Sequence, residues 1–474
     1  MKLILKSALI FGLLICIAAG TSVAKDRKLP PKAYISSAKI EILGYGESKD
    51  PARINLAMAM LDSLFMYYGP HSEGYFWYSQ IQWDLASEQS NLKERLPLVK
   101  RAVAYADSLK SSCTNKDIKK KYRDKCEELA EEMDSVKVAQ WREYYNAGVA
   151  QLDAIKGSAE ALKVAVDSTE QAWYQNTLDA LVDSCQDNMA LAIVVDSTDD
   201  KPFIGLATIY EQTGDYVKAI EYLERAADKS DNRDQIVISI AYDYIQTGQY
   251  CQAIPWFQEY VDTMTAITEV MDDPSNRAAV LGNAHNLAIC LNNCKRYDEA
   301  AEVYRKIVSF DAEDFEALAG IGRYFRQLGR DAADSARAHE EAGDNATRDE
   351  FMSVRDEQFD SSRFYLGQAF EINPDDAGLA AEYALMAAIL EKYDEAKVGF
   401  ARAAELKPGE IDYWISLGDC DLSMKDWAGA AAAYEKVVEL DPSKKNVWEQ
   451  LEALYLELGN KARRAEVQAK LKSM

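Results

Sequence analysis

Residues 200–257 read DKPFIGLATIYEQTGDYVKAIEYLERAADKSDNRDQIVISIAYDYIQTGQYCQAIPWF, and this stretch carries one pattern twice. The interval from Tyr216 to Tyr250 is the same as the interval from Tyr393 to Trp427 further along the chain. Around each of them, apolar and small side chains recur three and four positions apart, which is the spacing of an amphipathic helix. An interval of about 34 residues is typical of a helical hairpin that stacks on copies of itself. The sequence therefore predicts a stack of helical hairpins.

Glycines and prolines predict where these helices end. Gly214 and Gly248 follow the first helix of a hairpin, where a positive φ is convenient. Prolines at the same interval stop later second helices and turn the chain towards the next hairpin, at Pro374, Pro408 and Pro442.

This frame resembles the tetratricopeptide repeat, and the resemblance runs from about Ser135 to the C-terminus. Full copies begin near Asp200, Asp234, Leu281, Ala377 and Ile411. The resemblance implies an all-α fold, a right-handed superhelical solenoid of helical hairpins. Two of its repeats are expected to be elongated or interrupted.

The expected organisation divides the chain into six parts. They are a signal peptide (1–24), an extended leader arm (25–50), an N-terminal helical region of diverged repeats (51–135), a repeat with an insertion (136–199), a repeat array with an insertion at about 330–360 (200–444), and C-terminal capping helices (445–474). The leader arm is predicted from the Pro30-Pro31 pair and from Gly44 and Gly46, which disfavour regular structure. The insertion is acidic and is expected to lengthen two helices around a loop at Gly343–Asn345.

The first residues have the composition of an export signal. Lys2 and Lys6 precede an apolar run over residues 7–20, which is too short to span a bilayer, and small residues follow up to Ala24. We expect cleavage after Ala24 and export to the periplasm or the extracellular space of a bacterium, without membrane insertion of the mature chain. The sequence specifies no oligomeric state.

The chain is strongly acidic, with 78 acidic and 54 basic residues and a net charge of −24. Removing the two signal-peptide lysines changes the net charge from −24 to −26. Such a charge argues against nucleic acid as a partner, because phosphate groups would be repelled. It equally fits the solvated surface of ordinary helices.

Motifs for catalysis or cofactor binding are absent from the sequence. It contains no GxxxxGK[ST], HExxH or GxSxG motif, and no GxGxxG motif after a strand. With three histidines and no CxxC pair, a zinc site is not expected either. The sequence therefore predicts no enzyme, no cofactor and no metal.

One pair among the cysteines has a geometric argument for a disulfide. Cys251 opens a second helix and Cys294 closes the first helix of the following repeat, and stacking would place these two ends side by side. The alternative is that both are free and buried, since cysteine is a good small core residue. Seven cysteines would remain after cleavage: Cys113, Cys126, Cys185, Cys251, Cys290, Cys294 and Cys420.

The resemblance implies a concave groove lined by first helices, and with it a site for a protein or peptide partner. Amide and guanidinium groups can form paired hydrogen bonds with a peptide backbone or a terminal carboxylate. The alternative is that these side chains are merely the polar residues of a solvent-facing surface. The predicted groove residues are Tyr242, Gln246, His285, Asn286, Asn292, Asn293, Arg323 and Arg326.

The function expected from these features is an exported scaffold or adaptor that binds a peptide or helix of its partner in the groove. The alternative is a protein that binds carbohydrate or another envelope polymer through aromatic side chains near the N-terminus. Those aromatic residues are equally expected to form core between neighbouring helices. They are Tyr67, Tyr68, Tyr75, Phe76, Trp77, Tyr78 and Trp83.

Overall fold

The computed structural model describes residues 28–115 and 120–474. Regular secondary structure within these ranges consists of 21 α-helices and no strand, so the predicted all-α hairpin fold is confirmed for the described chain. The predicted signal peptide, residues 1–24, lies outside the described residues. The chain divides into two compact units, one ending at Thr247 and the other beginning at Gly248.

The first unit contains nine helices among its described residues, and consecutive helices pack as hairpins. They are α1 (Pro31–Ser48), α2 (Pro51–Tyr68), α3 (Ser72–Ser87), α4 (Leu92–Cys113), α5 (Lys120–Val164), α6 (Ser168–Val195), α7 (Lys201–Thr213), α8 (Tyr216–Ala227) and α9 (Arg233–Gln246).

The prediction of an extended leader arm over residues 25–50 is wrong, because most of this segment forms α1. Pro31 stands in the first turn of the helix, where its missing N–H is not needed and its fixed φ is helical. The helix buries Tyr34, Ile35, Ala38, Ile42 and Tyr45 against α2 and its neighbours. Gly44 and Gly46 are accommodated inside the helix because this buried face stabilises it.

The expected boundary between residues 135 and 136 is also wrong, because α5 runs through it as one helix of 45 residues. The same helix buries Met133 on one side of that point and Tyr144 on the other. It pairs with α6 over a close crossing, where a methyl group added at Gly148 would lie 2.7 Å from the Met189 side chain. The diverged N-terminal helices and the first repeat therefore share a continuous element.

The second unit contains twelve helices. They are α10 (Tyr250–Thr265), α11 (Thr268–Asp272), α12 (Pro274–Asn293), α13 (Tyr297–Phe310), α14 (Phe315–Glu341), α15 (Asn345–Ile372), α16 (Ala377–Ile389), α17 (Tyr393–Leu406), α18 (Ile411–Ser423), α19 (Trp427–Leu440), α20 (Lys445–Glu457) and α21 (Lys461–Ser473).

The acidic insertion is a long hairpin of α14 and α15, which contain 27 and 28 residues. The two helices meet at Gly343, which has a φ of +76°. Phe359 is buried near the base of the hairpin, and a methyl group added at Gly329 would lie 2.5 Å from its ring. The outer part of the hairpin, by contrast, is largely exposed.

Helix ends in the array follow the glycine and proline pattern of the sequence. Gly214 and Gly248 have φ values of +79° and +72°. Each predicted proline stands two residues after the last residue of a second helix, at Pro374, Pro408 and Pro442. These positions keep first and second helices at lengths that stack in register.

Candidate functional site

The predicted groove residues are divided between the two units. Tyr242 and Gln246 lie on α9 in the first unit. The other six lie on α12 and α14, which are first helices of two consecutive hairpins in the second unit. Each group is therefore a separate candidate surface.

His285 and Asn292 are tied into the protein by polar contacts. His285 Nε2 lies 2.9 Å from Asp314 Oδ2, and both side chains are mostly buried. Asn292 Nδ2 donates to the Tyr304 hydroxyl over 3.3 Å. The first contact holds α12 against the N-terminus of α14, where Asp314 also caps the helix by accepting from the Ala317 amide. The second contact holds α12 against α13.

The two remaining amides on α12 differ in their positions. Asn286 is half-buried beside His285. Asn293 is exposed and donates to the carbonyl oxygen of Ile289 on its own helix, over 2.9 Å. Asn293 therefore lies at the end of the first helix rather than among the clustered residues.

Two predicted arginines converge on a glutamate from the next first helix. Arg323 Nε donates to Glu382 Oε2 over 2.8 Å, and an Arg326 guanidinium nitrogen lies 3.7 Å from the same oxygen. Arg326 is mostly buried, and burial together with the charges of Arg323 and Arg330 lowers its pKa. Arg323 and Arg326 therefore share the carboxylate of Glu382, and Arg330 lies close enough for its charge to act on Arg326. We call Arg323, Arg326 and Arg330 the arginine cluster.

Tyr304 and Glu382 are parts of this surface that the sequence prediction missed. Tyr304 stands at the repeat position of Phe257, Phe400 and Tyr434, so its pattern indicates core and conceals the hydroxyl group. Burial raises the pKa of Tyr304, and the positive charge of Arg323 opposes that rise. Tyr304 therefore bonds to Asn292 and lies close enough to Arg323 for its charge to act on the hydroxyl group.

Tyr242 and Gln246 line an open cavity of about 500 Å³ in the first unit. Tyr216, Glu211 and Asp243 line the same cavity. Burial, followed by the charge of Glu211, raises the pKa of Asp243 to about 7. We call this cavity the acidic pocket.

The cysteines form two disulfides in the described chain. Cys251 is bonded to Cys294 with a Cα–Cα distance of 5.7 Å, which is the pairing for which the sequence offered a geometric argument. Cys113 is bonded to Cys126 with a Cα–Cα distance of 5.4 Å, and no sequence signal pointed to this second bond. Three further cysteines are free and buried: Cys185, Cys290 and Cys420.

The aromatic residues near the N-terminus are core residues. Phe76, Tyr78 and Trp83 are at most 5% exposed, and the others of the group pack half-buried against the same clusters. Three of the seven residues are buried and four are half-buried, so most of this aromatic surface belongs to the core, as the core alternative predicts.

Neither a metal-binding group nor a membrane-spanning helix is found among the described residues. Within residues 28–115 and 120–474, no group of three or more histidine, cysteine, aspartate or glutamate side chains is placed to hold a metal ion. None of the helices in this part of the chain combines the length and hydrophobicity needed to cross a bilayer.

Comparison with family models decides the repeat type. Models described as tetratricopeptide repeat match residues 203–235, residues 283–314 and residues 411–444. The chain is a tetratricopeptide repeat protein. The three matches fall on the hairpins α7–α8, α12–α13 and α18–α19.

Solved structures of similar proteins include three with low sequence identity. MamA from Desulfovibrio magneticus RS-1 is 18% identical with a TM-score of 0.32, over 45% of this chain and 97% of that chain. A tetratricopeptide repeat protein from Parabacteroides merdae is 17% identical with a TM-score of 0.34, over 58% of this chain and 93% of that chain. The C-terminal part of a repeat protein from Cytophaga hutchinsonii is 16% identical with a TM-score of 0.38, over 56% of this chain and 93% of that chain. A comparison with curated protein sequences finds no match.

Tetratricopeptide repeats support a general function for this protein. Proteins built from them bind other proteins, and their fold is typically a non-catalytic scaffold. A protein–protein interaction scaffold is therefore the functional class that the repeats support.

Proposed function

We propose that this tetratricopeptide repeat protein is an exported, non-catalytic scaffold of the cell envelope, which holds a peptide segment of a partner on the first helices of its second unit. The arginine cluster is the observation that supports the site most directly. Two guanidinium groups meet there at one carboxylate and a third is close enough to act on Arg326, although the chain as a whole carries a net charge of −24.

The chemistry of the cluster favours an anionic group on the partner. Guanidinium binds carboxylate in a planar, two-pronged geometry, and such charged hydrogen bonds are the stronger ones in proteins. Glu382 neutralises one of the three positive charges, so a second carboxylate from an acidic side chain or a chain end can enter. The amide of Asn292 and the hydroxyl of Tyr304 lie beside the cluster and can bind the peptide backbone.

The rigidity of the surface supports the same proposal. Asp314 holds His285, Glu382 holds Arg323 and Arg326, and Asp314 caps the helix that carries the arginines. A binding surface whose side chains are already ordered loses less conformational entropy when it binds. A scaffold can therefore bind a short segment through few contacts.

Export is supported by the N-terminal sequence and by the disulfides. Lys2, Lys6 and the apolar run before Ala24 form the pattern of a signal peptide. Two disulfides in one chain are typical of proteins that fold in an oxidising compartment such as the periplasm. Cell fractionation tests this part: the chain should be found outside the cytoplasm, and a chain lacking residues 1–24 should stay inside.

The binding proposal is tested with the double variant Arg323→Glu and Arg326→Glu in the full chain. We expect affinity purification from envelope extracts to lose at least one partner that the wild-type chain retains. The matched control is Arg348→Glu with Arg355→Glu, which makes the same change of charge on α15. A thermal melt checks that each variant is folded. An unchanged set of partners for a folded Arg323/Arg326 variant would refute the site.

A further inference from the structure

Asp243 places a carboxylate where most other repeats place a buried apolar side chain. It is 5% exposed and lies on α9, a first helix. Ile209 holds the same position of the frame one repeat earlier, and in the elongated repeat the position is taken by the half-buried Tyr324. The buried equivalents are Ile209, Cys290, Met386, Cys420 and Leu454, each at most 2% exposed.

The Asp243 carboxylate lacks a counter-charge. Its Oδ2 is buried and has no hydrogen-bond partner, and none of the ion pairs among the described residues involves Asp243 or Glu211. Asp421 in the second unit shows the usual solution, because this buried aspartate lies 2.6 Å from the ammonium group of Lys397. A buried carboxylate without a partner destabilises a fold, so its presence at an apolar position points to a ligand.

The acidic pocket has a lining that suits a long basic side chain. Glu211 on α7 and Asp243 on α9 both line it, and the charge of Glu211 acts on Asp243. Two carboxylates at one site favour a bound cation. The rings of Tyr216 and Tyr242 line the same cavity, together with the amide of Gln246. Lysine and arginine combine an aliphatic stem, which packs on aromatic rings, with a charged head that binds carboxylates.

We propose that the acidic pocket binds one lysine or arginine side chain of a protein partner, with Asp243 and Glu211 as the groups that receive its charge. The ligand is a protein segment because the inference rests on the proposed scaffold function. A divalent cation fits the pocket less well, since calcium and magnesium take six or more oxygen ligands and the pocket provides two carboxylates. Metal binding is therefore one of the outcomes that the experiment separates.

The experiment uses an immobilised array of nine-residue peptides and the full chain, in the presence of a chelator. The peptides form matched sets that differ only at the central residue, which is lysine, arginine, norleucine or glutamate. We expect the wild-type chain to retain a set of lysine- or arginine-centred peptides at least tenfold more strongly than their norleucine partners. Asp243→Asn, which keeps the shape of the side chain, should abolish this preference.

Two further variants make the result decisive. Asp243→Ile restores the apolar residue of the neighbouring repeat at Ile209, so it should fold well and also lose the preference. Asp228→Asn removes the same charge from an exposed position of the first unit and should bind like the wild type.

Three results would overturn the inference. They are equal retention of lysine- and norleucine-centred peptides by the wild type, an undiminished preference in both Asp243 variants, or calcium or magnesium binding that is lost in Asp243→Asn when the metal alone is titrated without the chelator. The Arg323→Glu and Arg326→Glu variant separates this result from the proposed function. In one outcome, that variant loses envelope partners while the Asp243 variants keep all partners and all peptides. This result would support the scaffold function and refute binding of a basic side chain in the acidic pocket.

Discussion

The helices described within residues 31–195 and those within residues 377–457 both pair as hairpins, but different side chains hold them together. The earlier region has helices of 16 to 45 residues and a core of large side chains such as Phe76, Trp83 and Met133. The later region has helices of 13 or 14 residues, which cross at small residues such as Gly399 and Ala384.

The difference shows what a regular period contributes to a fold. Where small residues recur once in every repeat, two helix backbones approach closely and each hairpin fits the next one. Where the period is lost, the core contains larger side chains such as Phe76 and Trp83, and helix lengths vary from 16 to 45 residues. A disulfide between Cys113 and Cys126 adds a covalent link in that region.

The largest effect is expected from removing a large side chain in the earlier region. Trp83 is 3% exposed in the core of α3 and α4, and Trp83→Ala should lower the free energy of unfolding by about 3–5 kcal/mol, because it leaves a cavity. Hydrogen exchange with denaturant measures the loss region by region. Trp173→Ala is the control, since Trp173 is 61% exposed and its loss should cost less than about 0.5 kcal/mol. Equal effects of the two changes would contradict the buried core.

The next effect concerns Asp243, which interrupts the apolar pattern of its repeat. Its folded-state pKa of about 7 lies above the ordinary aspartate value, so the folded chain keeps a proton that the unfolded chain releases. The wild type should therefore lose stability as the pH rises from 4 to 8, and Asp243→Asn should not share this loss. The gap between variant and wild type should reach at most about 4 kcal/mol at pH 8 and vanish near pH 4.

Urea denaturation across this pH range measures that gap. Glu211, on α7, is the charged group that raises the pKa of Asp243. When Glu211 is replaced by glutamine, Asp243→Asn should therefore change the free energy of unfolding at pH 8 by a smaller amount. A gap that is independent of pH would show that Asp243 is ionised throughout.

A smaller effect is expected from the disulfide of the earlier region. The double variant Cys113→Ser with Cys126→Ser removes a bond between residues 13 positions apart. From the loop entropy, its free energy of unfolding should fall by about 3 kcal/mol. Counting thiols in the unreduced, denatured chain from Lys25 onwards should give three, from Cys185, Cys290 and Cys420. Seven thiols, or a denaturation curve that reductant leaves unchanged, would contradict the bond.

The smallest effect is expected from enlarging a crossing in the later region. A methyl group added at Gly399 would lie 2.6 Å from the carbonyl oxygen of Ala380 and 2.8 Å from the Ala384 methyl group. Gly399→Ala should therefore lower the free energy of unfolding by about 1–3 kcal/mol. Gly409→Ala has open space around it and is the control.

The sequence predicted the fold best where the period is regular. Gly214 and the prolines at 374, 408 and 442 stand at the helix ends for which a positive φ and a missing N–H are suited. It failed at α1, where the proline and glycine signals outweighed the helical spacing of Tyr34, Ile35, Ala38 and Ile42. The boundary predicted between residues 135 and 136 was wrong although no glycine or proline stands near it. The length of α5 depends on tertiary contacts, which the local sequence does not show.

The candidate surface was predicted only in part. Its arginines and amides follow from repeat positions, but Glu382 lies 59 residues after Arg323, and its contact depends on two first helices lying side by side. Tyr304 was hidden because its position in the frame is typical of core. The acidic pocket was missed because Glu211 and Asp243 are two among 78 acidic residues, and only their burial distinguishes them.

The scaffold function is tested most directly by hydrogen–deuterium exchange of the full chain, with and without an envelope protein that it captures. Binding should slow exchange in α12, α14 and α16, the first helices that carry His285, the arginine cluster and Glu382. The second helices α13, α15 and α17 should exchange as in the free chain. Slower exchange confined to those second helices, or to residues 31–195, would contradict the proposed surface.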